Sequence, residues 1–254
     1  MTHALGGAGL FNLAYTWSKT LTDNGSDRSN SPQNTYNYHE GEYGPYPGDR
    51  QQVLTLNWVY TLPIFQNSKG IAGHALKGWE LSGILSTYTG TPATVSTSSV
   101  DPAGLGTTTT RPDMTCDPRA NQPGQYGGAA QAAAQNLTWF NTACFAPVPQ
   151  GAVRPGNAGI GVIRTPGFFN IDASLLKNFK MGEKFNTQFR LETLNTLNWV
   201  NPSGFASTNI TATNFGQISS FRAPRRVQLA LKFSFCVAQL NRRRYRGGYI
   251  RFAG

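Results

Sequence analysis

What this 254-residue chain lacks narrows the field before any pattern is read. Charged side chains make up only 13% of it, while Gly (28) and Pro (15) are plentiful and aromatics reach 12%. That mix disfavours helices and suits strands joined by polar loops. No run of 18 or more apolar residues occurs, which excludes a membrane-spanning helix. A charged-then-apolar opening of the signal-peptide kind is also missing, and Met1 to Gly9 (MTHALGGAG) reads as an entry into the middle of a longer chain.

Chemistry-bearing patterns are equally sparse. There is no GxSxG elbow, no P-loop and no GxGxxG fingerprint. His3 and His74 are isolated. His39 opens the cluster HEGEY (His39 to Tyr43), which lacks the helical spacing of a zinc hydrolase and precedes a turn rich in Pro and Gly. It reads as a solvated loop. The expectation is a protein that is not an enzyme and holds neither metal nor cofactor.

Acidic residues are the scarcer sign, 12 against 22 basic, giving a formal charge of +10. Such an excess invites a nucleic-acid reading. Five of those charges, however, are Arg242, Arg243, Arg244, Arg246 and Arg251, all beyond Phe235, where no acid occurs. The rest are spread along the chain, and no nucleic-acid partner is expected.

What is present is strict alternation. In LFNLAYTWSK, Phe11, Leu13, Tyr15 and Trp17 alternate with Asn12, Ala14, Thr16 and Ser18. In VLTLNWVYTL, Leu54, Leu56, Trp58 and Tyr60 oppose Thr55, Asn57, Val59 and Thr61. WELSGILSTYTG is a weaker case. FFNIDASLLKNF sets Phe169, Ile171, Ala173 and Leu175 against Asn170, Asp172 and Ser174, and KFNTQFRLETLN sets Phe185, Thr187, Phe189 and Leu191 against Gln188, Arg190 and Glu192. In RRVQLALKFSF, Val227, Leu229, Leu231, Phe233 and Phe235 alternate with Gln228, Ala230, Lys232 and Ser234. Each stretch exceeds the usual strand of about 5–6 residues and suffices to cross a bilayer at a tilt, which takes about 9–11.

The connections alternate in length: long over 21–48, shorter over 63–76, very long over 92–166, a tight turn at Met181-Gly182-Glu183, and long again over 199–224. Short inner turns and long outer loops are the layout of a membrane barrel. The expected fold is therefore all-β: an antiparallel transmembrane β-barrel segment, a partial barrel of about six long strands. Phe11, Leu13, Tyr15, Trp17, Leu54, Leu56, Trp58 and Tyr60 would face lipid, with aromatics toward the strand ends as an interfacial girdle. Asp172, Gln188, Arg190, Glu192 and Lys232 would face a wet lumen. The competing reading is a soluble β-sandwich that binds carbohydrate, with Trp79, Trp139 and Trp199 as stacking platforms; a third is a surface protein that mediates contact without transport.

The stretches AYTWSKTLTDNGS, DRQQVLTLNWVYTLP, LKGWELSGILSTYTGTP, the long run from WFNTACFAPVPQ to FFNIDASLLKNFKM, KFNTQFRLETLNTLN and FGQISSFRAPRRVQLALKFSF occur in this order. Together they resemble the C-terminal barrel part of TonB-dependent outer-membrane receptors, specifically the Oar-like group with a carboxypeptidase-regulatory-like N-terminal domain. The resemblance implies a place in the bacterial outer membrane and a part in energised uptake of an unknown ligand. Its implied partners are outer-membrane lipid, the rest of the barrel with its plug, TonB through an N-terminal part that has no counterpart here, and the barrel-assembly machinery. That machinery reads a terminal strand ending in an aromatic, for which Val227, Leu229, Leu231, Phe233 and Phe235 are the matching positions. Residues 1–235 are thus read as barrel. Residues 236–254, with an odd Cys236 and three successive arginines, read as an atypical tail from read-through or a shifted frame. Six strands cannot close so large a lumen, so the chain reads as a fragment.

Cys116 and Cys144 both fall in the longest loop. In an envelope compartment such a pair forms a disulfide or stays as two thiols. The bridge is the favoured reading, worth about 3–4 kcal/mol by loop-closure entropy.

Overall fold

The computed structural model describes residues 2–5, 9–23, 32–37, 39, 41–63, 70, 73, 77–97, 101–106, 110–119, 138–181 and 185–235. The tail 236–254 and the centre of the turn after Met181 lie outside the described residues, as do His74 and Cys236. In chain order the strands are β1 (Thr2–Leu5), β2 (Gly9–Trp17), β3 (Leu21–Thr22), β4 (Gly44–Pro45), β5 (Gln52–Thr61), β6 (Trp79–Tyr88), β7 (Pro92–Ala93) and β8 (Asp113–Met114). They continue as β9 (Phe145–Ala146), β10 (Ile163–Arg164), β11 (Phe168–Met181), β12 (Phe185–Leu194), β13 (Pro202–Phe205), β14 (Ile218–Phe221) and β15 (Arg226–Phe235).

Six of these are long, and they coincide with the six alternating stretches. They form one antiparallel sheet in the order β1-β2-β5-β6-β11-β12-β15, so each long strand lies beside its sequence neighbour. The short β1 is a seventh member that the sequence did not announce, because THAL carries no alternation. The sheet is open, with β1 and β15 at its edges. No described helix is long and apolar enough to cross a membrane, which says nothing against crossing by strands.

Register ties the strands into a two-faced wall, because residues directly opposite in an antiparallel pair share a face. One unbroken row runs Phe11, Trp58, Gly83, Ala173, Thr193, Val227 across six strands. The adjacent row, on the other face, runs Leu10, Val59, Ser82, Ser174, Glu192, Gln228. A slip of one residue in any strand would break both rows at once.

The long connections are not the plain polar loops that their composition suggests. They fold into small hairpins, β3 with β4, β7 with β10, β8 with β9 and β13 with β14, all at one end of the sheet. Isolated bridges Ser96↔Asn209 and Thr138↔Gln217 stitch the loop between β6 and β11 to the loop between β12 and β15. Inside lies a cluster of fully buried apolar side chains: Val95, Trp139, Phe140, Cys144, Phe145, Ala158, Ile163 and Ile218. Phe140 is met edge-on by Phe145, Phe205 and Phe215, with centroids 5.4–6.0 Å apart. The wall has no comparable core. Its apolar side chains point away from the protein, and burial has moved to the outer cap.

Candidate membrane wall, lumen face and outer cap

All eight residues expected to face lipid share one face. Phe11 pairs with Trp58, Leu13 with Leu56 and Tyr15 with Leu54, while Tyr60 opposes Gly9 and Trp17 opposes Gln52. The terminal strand joins the same face: Val227 opposes Thr193, Leu229 opposes Leu191 and Leu231 opposes Phe189. Phe235 pairs with Phe185 through the backbone. Tyr15, Trp17, Leu229, Leu231 and Phe233 are more than half exposed, while Phe11, Leu54, Leu56, Trp58 and Tyr60 are half-buried. Among the described residues the other sheets are two-stranded hairpins of the connections, and no second layer of long strands stands against this face, which overturns the β-sandwich reading. So does the scatter of its supposed platforms. Trp79 sits at a strand start, Trp139 is buried in the cap with Nε1 donating to the Arg164 carbonyl (3.1 Å), and Trp199 tilts against Phe169.

Many of the outward aromatics stand near strand ends, while Trp58 and Phe189 lie farther in. Tyr15 and Trp17 stand at the long-loop end, while Tyr60, Trp79, Phe179, Phe185 and Phe233 stand at the short-turn end. Leu13, Leu56, Leu85, Ile171 and Leu191 occupy the middle of their strands. Trp79 and Phe189 meet edge-on at 6.0 Å. Sequence reasoning missed Lys177, which falls on this apolar row. Its side chain is 2% exposed. Its ammonium lies over the Trp79 and Phe179 rings (5.7 and 5.2 Å) and donates to the Lys77 carbonyl. A lysine on an apolar face can bury its stem while its head finds a polar partner, and strict alternation through Leu175 and Phe179 would have found it.

The opposite face gathers the residues expected to line a lumen. Asp172 pairs with Ile84, Gln188 with Asn178 and with Lys232, Arg190 with Leu176 and Glu192 with Ser174. Arg190 Nη1 meets Glu192 Oε1 at 3.1 Å, and Gln188 Nε2 donates to Asn178 Oδ1 at 3.0 Å. Asp172 Oδ1 accepts from Asn170 Nδ2 and from the Asn195 N–H, both at 2.8 Å. A trough of about 560 Å3 runs along this face, its lining a mixture of apolar side chains such as Leu10, Val59 and Ile84 with polar ones such as Asn57, Asp172 and Glu192.

At the long-loop end of that face, Tyr88 and Phe168 stack across β6 and β11, with centroids 4.8 Å apart and planes 25° from parallel. The Arg50 guanidinium lies over Tyr88 at 4.0 Å, and Arg222 lies over Phe168 at 4.8 Å.

The cap is held by paired charges and one disulfide. Arg111 meets Glu42 at 2.9 Å with both side chains under a tenth exposed. Gln33 completes the knot: its N–H donates to Glu42 Oε1, its Nε2 donates to the Gly156 carbonyl, and its Oε1 accepts from the Arg111 N–H. The expected solvated loop at HEGEY is thus corrected for Glu42, which is buried. It holds for His39, which is exposed and lies 3.5 Å from Asp23. No cluster of three His, Cys, Asp or Glu side chains suited to a metal occurs among the described residues. Arg164 meets the buried Asp49 at 2.8 Å, and Arg154 meets Asp113 at 2.6 Å. The Arg154 contact, against the opposing pull of burial and with help from the Asn157 N–H, holds the Asp113 carboxyl below its ordinary value. Cys116 and Cys144 are joined by a disulfide, with Cα atoms 5.0 Å apart.

A sequence model of the family described as "Outer membrane beta barrel domain" matches residues 2–228. No curated protein and no solved structure matches the chain.

Proposed function

The chain belongs to the outer membrane β-barrel domain family and is a protein of the bacterial outer membrane, and from that premise we propose that it is part of the wall of a TonB-dependent receptor of the Oar-like kind. In this reading it contributes membrane wall, lumen lining and outer loops to the energised uptake of a solute, and carries out no catalytic step.

The observation that carries the reading is the pair of rows. The face of Phe11 to Val227 carries the exposed Tyr15, Trp17, Leu229 and Phe233, while the face of Leu10 to Gln228 carries Asp172, Gln188, Arg190, Glu192 and Lys232 along an open trough. In hydrocarbon every backbone group must be paired within protein, so the open edges of β1 and β15 call for further strands to complete the wall. The resemblance supplies the finer assignment to an energised receptor.

Two experiments test this. In cells, cysteines at Asn57 and Ser82 should react with a water-soluble maleimide, while cysteines at Leu56 and Leu85 should react only with a lipid-soluble one; the reverse pattern sinks the wall. Across a panel of scarce nutrients, deleting the gene and deleting TonB should produce the same growth defect, and a defect that survives TonB loss removes the energised step. The knitted cap also favours a second reading, surface contact without transport. That one requires loss of cell adhesion with uptake intact.

A further inference from the structure

We propose that the outer mouth of the lumen holds a binding site for a soluble oxyanion, a solute bearing phosphate or carboxylate groups, formed by Arg50 and Arg222 on the Tyr88–Phe168 stack. This rests on the reading of the polar face as a wet lumen.

Placement comes first. Tyr88 opposes Val53 and Phe168 and shares its face with Ile84 and Ser82, both of which line the trough. The stack therefore stands where the trough meets the cap, on the side turned away from the lipid-facing row. A headgroup would approach from the other side, which favours a solute.

Charge comes second. In the cap, Glu42, Asp49, Asp113 and Asp117 are each engaged by Arg111, Arg164, Arg154 and Arg119, and Asp23 by His39. Glu192 is engaged by Arg190. Arg50 and Arg222 stand in no ion pair among the described residues. Arg50 and Arg222 therefore leave unpaired positive charge at the mouth, while Asp172, farther along the same face, is held by Asn170 and the Asn195 N–H rather than by a cation.

Geometry comes third. Stacking on a ring occupies the flat face of a guanidinium and leaves its N–H edge directed outward, the edge that forks onto carboxylate or phosphate. Arg50 spends one donor on a long contact to the Thr89 carbonyl (3.4 Å). Arg222 is anchored by its backbone, whose N–H donates to the Asn201 carbonyl at 2.9 Å. The ring contacts hold both guanidiniums in place before a ligand arrives, which lowers the ordering cost of binding.

The test uses the full chain in detergent micelles, titrated calorimetrically with inorganic pyrophosphate as probe. Saturable binding that weakens with added salt is expected. Arg222→Gln, at an exposed position that folding tolerates, should weaken it about tenfold or more, and Arg50→Lys should weaken it less than Arg50→Gln. No saturable binding, or equal binding by Arg222→Gln, overturns the site. If vesicles containing phosphatidylglycerol suppress pyrophosphate binding and phosphatidylcholine vesicles do not, the arginines meet headgroups and the soluble-solute assignment falls. Ser82→Cys separates the two readings: labelling by a water-soluble maleimide without pyrophosphate binding removes the anion site alone, whereas resistance to labelling removes the lumen as well.

Discussion

The indole of Trp58 lies across Gly83 on the neighbouring strand, filling the space where any side chain at 83 would begin. A Cβ built there meets the ring at once and stands 2.6 Å from the Asp172 carbonyl. The two residues stand directly opposite each other, so the glycine is a seat for the tryptophan in the middle of the wall. Gly83→Val should destabilise the wall by about 1–3 kcal/mol, the usual result of overpacking. Heat-modifiable gel mobility reads this directly. Adding Trp58→Ala should restore only part of the loss, because the backbone contact to Asp172 remains; full rescue would mean that the ring alone excludes a side chain.

Glu42 and Arg111 give the second prediction. Each is buried, and each is the other's charge partner. Removing one leaves a buried charge without compensation, which costs about 3–5 kcal/mol. Glu42→Ala should therefore open the cap to protease while the strand signal in circular dichroism stays. The double variant Glu42→Leu with Arg111→Met should be more resistant than either single change. If the single changes leave the cap intact, the knot does not hold the first outer loop.

These two sites mark how far the sequence could be read. The wall was legible because alternation is local: Phe11, Leu13, Tyr15 and Trp17 announce their shared face within nine residues, and register then carries that face to Val227. The cap was not legible. Val95, Trp139, Phe145, Ile163 and Ile218 come from scattered places with no period, and only the fold brings them together. Glu42 and Arg111 meet across separate loops, so neither could be recognised as the other's partner. The trough on the polar face was visible as a face but not as a shape.

Asp113 carries a pH prediction. Its folded carboxyl titrates below the ordinary value of 3.8, chiefly through Arg154. A carboxylate depressed on folding stabilises the folded state above its unfolded value, and this is lost as pH falls through the depressed one. The cap should loosen in acid below about pH 4, seen as faster proteolysis by an acid-active protease. Asp113→Asn should be weaker at neutral pH and should lose this part of the acid sensitivity. An unchanged acid profile in that variant assigns the sensitivity elsewhere.

The Cys116–Cys144 bridge ties β8 to β9 just beyond their paired residues, and Cys144 sits in the buried cluster. Cys116→Ser should destabilise the cap by about 3 kcal/mol without altering the wall. Denaturant titration followed by tryptophan emission should then show the cap transition move while the wall transition stays. A shift of both together would show that cap and wall unfold as one unit.

Lys177 offers the last test, and it bears on how a charge is tolerated on an outward apolar face. The ammonium is placed near the short-turn end, over Trp79 and Phe179, with the Lys77 carbonyl as acceptor. Two roles follow from this. The stem covers apolar surface beside Leu175, and the head holds the Lys77 carbonyl, just before β6, to the wall. Lys177→Leu keeps the first role and removes the second. It should leave wall stability within about 1 kcal/mol while making the 62–78 connection easier to cut from the inner side of the membrane. Lys177→Ala removes both and should also lower wall stability. If Lys177→Leu neither loosens that connection nor changes its cleavage, the lysine serves as apolar stem alone and its charged head does no holding.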